Sequence, residues 1–226
     1  MGTVLLIRHG QSVANAQGIL AGRAPGVHLD EHGEKSAGEL GLHLSALPIV
    51  KVLVSPLERT QQTAELIFAN KFPVEIESRI TECDYGDWQG KLLSELATEE
   101  LWKTVQNQPD EMVFPNGESM QDMSDRAVAA IREWDQNLSV EHGPDVIWVA
   151  VSHGDVIKAI CADALSMPLR NFQRISIEPS SVSVVQYRSE NAQVHKLNDT
   201  GIQWVQALQK IAQSKEATVG GEVSSK

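Results

Sequence analysis

The sequence predicts an α/β fold, a three-layer α/β/α sandwich around a mostly parallel sheet. Short apolar runs at 3–8 (TVLLIR), 50–56 (VKVLVSP) and 145–152 (DVIWVAVS) have the composition of strands buried on both faces. Stretches with helical periodicity separate them. Each run then ends in a polar signature: Arg8-His9-Gly10, Ser55-Pro56 and Ser152-His153-Gly154. Ligands of open parallel sheets sit outside the carboxyl ends of the strands, so these three ends are where chemistry is expected.

The elements follow in order. The strand at 3–8 stops at Gly10, and "GRAPG" at 22–26 is a loop by its Gly and Pro content. Asp30 caps a helix over 31–46, which Pro48 ends. After the second buried strand, a helix over 57–69 places Thr63, Leu66 and Ile67 on one face, and "VEIES" at 74–78 alternates as a short third strand. The stretch 83–117 is irregular, rich in Gly and Pro, and holds Tyr85, Trp88 and Trp102; such segments often form binding lids. Apolar residues three or four apart, Met120, Met123, Ala127, Ile131, Trp134 and Leu138, mark an amphipathic helix over 119–138. A strand at 145–152 and a helix over 155–166 come next. Strands at 180–188 and 192–198 close as a hairpin around Ser189-Glu190-Asn191. The polar stretch 213–226 is a disordered tail, which leaves 1–212 as the folded domain.

The 226 residues are 42% hydrophobic and 22% charged, ordinary for a globular protein that buries a core. A net charge of −11 argues against a nucleic-acid partner and against an anionic membrane surface. Two cysteines, Cys83 and Cys161, in no metal-like spacing suit a reduced compartment. With no signal peptide or membrane span visible, a cytoplasmic location is expected. An acidic chain can still hold an anion when its cations gather in one pocket.

The two His-Gly strand ends suggest such a pocket. Glycine lets the backbone approach an anion, and helices starting after both histidines offer free N–H groups. Arg8 and Arg59 add guanidinium forks suited to phosphate. An arginine at a helix start opposes the helix dipole, and a bound phosphate would offset that. Two imidazoles, two arginines and two helix starts around one point describe a site for a phosphoryl group.

Four ordered motifs then resemble one family. "LIRHGQSVAN", "SPLERTQQTAE", "ITECDYGDWQG" and "VSHGDVIK" look like the motifs of the histidine phosphatase superfamily, the phosphoglycerate mutase-like proteins, over about residues 3–200. "AGRAPGVHLDEHG" and "NDTG" add a resemblance to an actinobacterial subgroup of phosphatases or mutases. The resemblance implies a phosphoglycerate mutase-like fold with neither metal nor cofactor. His9 would be the nucleophile that becomes phosphorylated, and Glu82 the general acid. Arg8, Asn15, Arg59 and His153 would hold the phosphoryl oxygens with the Gly154 N–H, while Gln11 and Gly22 would contact substrate. In that chemistry a protonated His153 joins the arginines in stabilising charge on the equatorial oxygens.

The chain departs from the pattern in two places. "LDEHGEKSA" carries Asp30 and Ser36 where the family often differs, at a helix start where a structural role suffices. Residues 86–115 carry only Lys91 and Lys103, without paired arginines for a second anionic group. That favours hydrolysis of a small phosphorylated metabolite over mutase activity. A mutase at the same site is the alternative, and a non-catalytic phosphate-binding module the second. Trp88, Leu92, Leu93 and Trp102 either face an apolar part of the substrate or pack on the segment's own core. "HLDEH" at 28–32 fits a zinc-protease pattern, but Asp30 as a cap leaves His28 outside the helix. Glu118, in "PNGES", starts a helix and is near enough in pattern to reach the pocket.

Overall fold

The computed structural model describes residues 2–44, 47–69, 71–188 and 191–201. Strand β1 (Thr3–Arg8) runs into a one-turn helix α1 (Val13–Gln17) and then α2 (Glu31–Leu44). Strand β2 (Ile49–Val54), helix α3 (Glu58–Phe68) and the edge strand β3 (Val74–Ile76) follow. Two short helices, α4 (Leu93–Leu96) and α5 (Glu100–Asn107), precede the long α6 (Met120–His142). Strand β4 (Ile147–Ser152), helix α7 (Gly154–Ala164) and the strands β5 (Val182–Tyr187) and β6 (Ala192–Asp199) complete the order. The tip residues Ser189 and Glu190 and the tail 213–226 lie outside the described residues.

The sheet runs β3-β2-β4-β1-β5-β6. β3, β2, β4 and β1 are parallel, and β5 and β6 join antiparallel. Alternate residues along each strand feed two separate cores, which is why the strands look apolar throughout. Val4, Leu6, Leu53, Trp148 and Ala150 pack under α6, α7 and the 83–114 stretch. Leu5, Ile7, Val52, Val54, Val149 and Val151 pack under α2 and α3. This is the three-layer α/β/α sandwich. Truncating one of these fully buried side chains to Ala would cost about 2–5 kcal/mol.

The structure corrects three expectations. Leu66 is 40% exposed; the buried face of α3 is Arg59, Thr60, Thr63, Ala64, Ile67 and Phe68, turned toward the strand ends by its arginine and threonines. β3 does not alternate, because all three residues lie exposed on the sheet edge. The 83–117 stretch is more regular than its Gly and Pro content suggests. Trp88 and Trp102 stack there with centroids 6.2 Å apart, and Phe114 meets Trp88 edge-on at 5.4 Å. These tryptophans are the segment's own core, while Leu92 alone of the four named residues is 40% exposed.

Candidate active site

The ends of β1, β2 and β4 lie flush. Arg8 pairs with Ser152 in register, the His9 N–H donates to the Ser152 carbonyl (3.0 Å), and the Ser55 N–H donates to that of Val151 (3.0 Å). From these ends α7 leaves toward one face while α2 and α3 cover the other. A crevice opens where connections diverge in this way. Gly10 is required here for a close approach: a Cβ on it would lie 2.7 Å from the Gly33 carbonyl oxygen as α2 passes. It does not adopt the left-handed conformation.

His9, Arg59 and His153 meet at these strand ends, all almost fully buried. The imidazole centroids are 5.3 Å apart. Arg59 Nε donates to His9 Nε2 (3.2 Å), and Arg59 Nη2 donates to the Gly22 carbonyl (2.8 Å) and to His153 Nδ1 (3.2 Å). Guanidinium nitrogens only donate, so these two ring nitrogens accept. His9 therefore carries its proton on Nδ1, which lies 2.7 Å from the Gly10 carbonyl oxygen, and keeps a lone pair on Nε2. His153 carries its proton on Nε2, facing Ser55 Oγ at 2.7 Å. Arg59 Nη1 is buried with no hydrogen-bond partner. Arg8 Nη1 donates to the Ile177 carbonyl at 2.6 Å.

Burial sets the electrostatics. It presses the pKa of both guanidinium groups below the usual value, opposed mainly by the carboxylate of Glu82. Burial, then Arg59 and Arg8, holds His9 well below the ordinary imidazole range. Burial, then Arg59 and His9, does the same to His153. Without an anion these surroundings disfavour the protonated ring, so the protonated His153 expected from the family belongs to a state in which a phosphoryl group offsets the neighbouring cations. Burial and Asp155 push Glu82 up to about 7, against the pull of Arg59, the Cys83 N–H and Arg8. A carboxyl with that value can hold and release a proton near neutrality.

The remaining candidates are placed differently. Gly154 opens α7 immediately after His153. Helix α1 offers no comparable terminus: its Val13 N–H is taken by the His28 carbonyl, and Ser12 and Asn15 close a capping box. The Asn15 side-chain oxygen Oδ1 accepts from the Ser12 N–H (3.0 Å) and Oγ (2.8 Å). Gln11 donates through Nε2 to Asp30 (2.9 Å), the residue that caps α2 by accepting the Gly33 N–H. Gly22 has φ +53, and a Cβ on it would sit 2.5 Å from Gln89 Oε1; its carbonyl is what reaches Arg59. Among the described residues no cluster of three or more His, Cys, Asp or Glu is placed to hold a metal ion. None of the described helices is long and apolar enough to cross a membrane.

Sequence reading missed several supporting groups. Ser55 was legible only as a strand end, yet its hydroxyl faces His153 Nε2. Thr63 Oγ1 accepts the Gly10 N–H (3.0 Å) and donates to the Arg59 carbonyl (2.7 Å), tying the His9 loop to α3. The Tyr85 hydroxyl donates to buried Asp155 (2.8 Å), which also faces Lys158 (3.3 Å). The offset of Asp155 from His153 was the available signal, and nothing local named its partners.

Comparison with known proteins agrees with this geometry. Residues 4–200 match the profile of the histidine phosphatase superfamily (branch 1). The chain is 32% identical over 189 residues to "Probable phosphoglycerate mutase GpmB" of Cronobacter sakazakii, covering 82% of this chain and 85% of that one. It superposes on the alpha-ribazole phosphatase from Shigella flexneri with TM-score 0.77 and 28% identity, covering 89% of this chain and 98% of the other. Bacillus stearothermophilus YhfR gives TM-score 0.79 and 25% identity over 88% and 98%. With matching motifs along nearly the whole sheet and its connections, the chain belongs to the histidine phosphatase superfamily.

Proposed function

We propose that the protein hydrolyses a small phosphomonoester through a phosphohistidine on His9, without metal or cofactor. The observation that carries this reading is Arg59, 2% exposed, holding both imidazoles while its Nη1 has no partner. A buried cation so placed is costly, and a phosphoryl dianion compensates it. The Nε2 lone pair of His9 attacks phosphorus, and the ester oxygen leaves with its electron pair and takes the Glu82 proton. Glu82 then removes a proton from water, the resulting hydroxide attacks phosphorus, the P–N bond breaks, and inorganic phosphate departs. Arg8, Arg59, His153, the Gly154 N–H and the Asn15 amide hold the oxygens, while Gln11 and Gly22 meet the substrate. The 83–117 segment selects the organic part. A cytoplasmic setting and kinship to actinobacterial phosphatases or mutases belong to the same proposal.

The test uses 4-nitrophenyl phosphate in EDTA. The wild-type protein should turn it over, and His9→Ala should lose at least about a thousandfold. Unchanged turnover in that variant would sink the mechanism. Mutase activity is the second reading, favoured by the name of the Cronobacter relative. Isomerisation of a phosphoglycerate primed by its bisphosphate, faster than hydrolysis, would select it.

A further inference from the structure

Glu82 has a demanding position, since its carboxyl must meet the leaving oxygen while buried among charges. Its side chain has one described hydrogen bond, from the Cys83 N–H to Oε1 at 3.0 Å. Its place is therefore set chiefly through its backbone. The Glu82 carbonyl accepts from Arg23 Nε (2.8 Å) and from Arg126 Nη2 (3.1 Å). Arg126 Nη1 also donates to the carbonyls of Arg79 (2.7 Å) and Thr81 (2.8 Å), gripping the strand of chain that leads into Glu82.

Both arginines converge on one carboxylate. Glu118 Oε1 accepts from Arg23 Nη2 (2.7 Å), Arg126 Nη2 (2.6 Å) and the Asp84 N–H (2.8 Å), and Oε2 accepts from Arg126 Nε (3.1 Å). Burial raises the Glu118 pKa, but the hydrogen bonds and charges of Arg126, the Asp84 N–H and Arg23 outweigh it and keep it ionised. Arg23 also follows Gly22, whose carbonyl takes Arg59 Nη2, so one loop links the phosphate-facing cation to the acid-bearing segment.

We propose that Glu118, acting through Arg23 and Arg126, positions Glu82 as proton donor. The proposal rests on the assignment of Glu82 as the acid. Glu118 reaches the pocket through these two arginines and not by touching substrate. Misplacing a reacting group by about 1 Å can cost up to a hundredfold. A clamp with this role should matter in proportion to how much the leaving group needs its proton.

The experiment compares 4-nitrophenyl phosphate, whose leaving group needs little protonation, with glycerol 2-phosphate, whose alkoxide needs it. Glu118→Gln and Arg23→Ala are expected to lower kcat on the alkyl ester about tenfold or more, with KM little changed. The aryl ester should lose less than about threefold. Equal losses on both esters, or no loss on either, would overturn the clamp. Arg23→Ala leaves Glu118 paired with Arg126, so its circular dichroism and kinetics decide the matter even where Glu118→Gln fails to fold. Glu82→Gln is run alongside. A selective alkyl loss there with flat Glu118 and Arg23 variants sinks the clamp alone; a uniform loss in Glu82→Gln sinks the acid assignment and the clamp together.

Discussion

Arg59 is buried at the strand ends and Arg126 is half-buried on α6, and the protein solvates them in opposite ways. Arg126 spends all five N–H donors: on both oxygens of Glu118 and on the carbonyls of Arg79, Thr81 and Glu82. Arg59 has two neutral imidazoles and one carbonyl as partners, forms no ion pair among the described residues, and leaves Nη1 unused. A saturated cation is part of the scaffold. An unsaturated one is, on the function proposed above, binding capacity for an anion held in place at a cost to stability.

That contrast can be broken by experiment. Arg59→Met should give the largest effect, a loss of about 10²–10³ in kcat/KM, because a preorganised donor to the phosphoryl oxygens is gone. Its thermal midpoint should be unchanged or higher, since an uncompensated buried charge is removed with it. A clear drop in midpoint would place Arg59 with the scaffold. Arg126→Met should behave in reverse on stability, losing about 2 kcal/mol in urea unfolding, because Glu118 and three carbonyls lose their donor. A neutral outcome would show that the clamp is not structurally coupled.

A smaller effect comes from Glu82. Activity on alkyl phosphates should fall as pH rises through about 7, where the donor loses its proton, while aryl phosphates decline less. Stability should move the same way. The folded pKa lies above the value of an unfolded glutamate, so this contribution is full below the unfolded value and fades as pH rises through about 7. In Glu82→Gln that part of the pH dependence of the unfolding midpoint should vanish; its persistence would mean another group is titrating. Smallest of all is Arg132→Ala. Its bidentate pair with Asp163 lies on the surface, and its loss should stay within about 1 kcal/mol by the same urea titration.

The same contrast explains what the sequence could convey. His9 and His153 directly follow β1 and β4, and Arg59 lies in the first turn of α3 after β2, so those motifs coincide with strand ends, while Glu82 lies beyond β3 past a helical turn. The sheet was legible because both cores draw alternate residues from the same short apolar runs. Partners distant in sequence were not legible. Arg23 lies in the loop after α1 and Arg126 far along the chain in α6, and only the fold brings both onto the Glu82 carbonyl and the Glu118 carboxylate. Leu66 misled for a related reason: hydrophobic periodicity favours an apolar buried face, whereas α3 buries Arg59 and Thr60 beside Thr63, Ala64, Ile67 and Phe68 and turns Leu66 outward. Asn15 carried a family role in sequence, and the structure shows its side-chain oxygen already engaged in the cap of α1.

One contact behind the site constrains how such a protein can change. A Cβ on Gly10 would meet the Gly33 carbonyl oxygen at 2.7 Å, and one on Gly33 would meet the Gln11 carbonyl oxygen at 2.1 Å. Each glycine faces bare backbone of the other segment, so neither can carry a side chain while the two segments stand this close. Segments 8–12 and 29–33 are in effect one inherited module, and a chimera that exchanges the catalytic loop with a relative has to bring the start of α2 along.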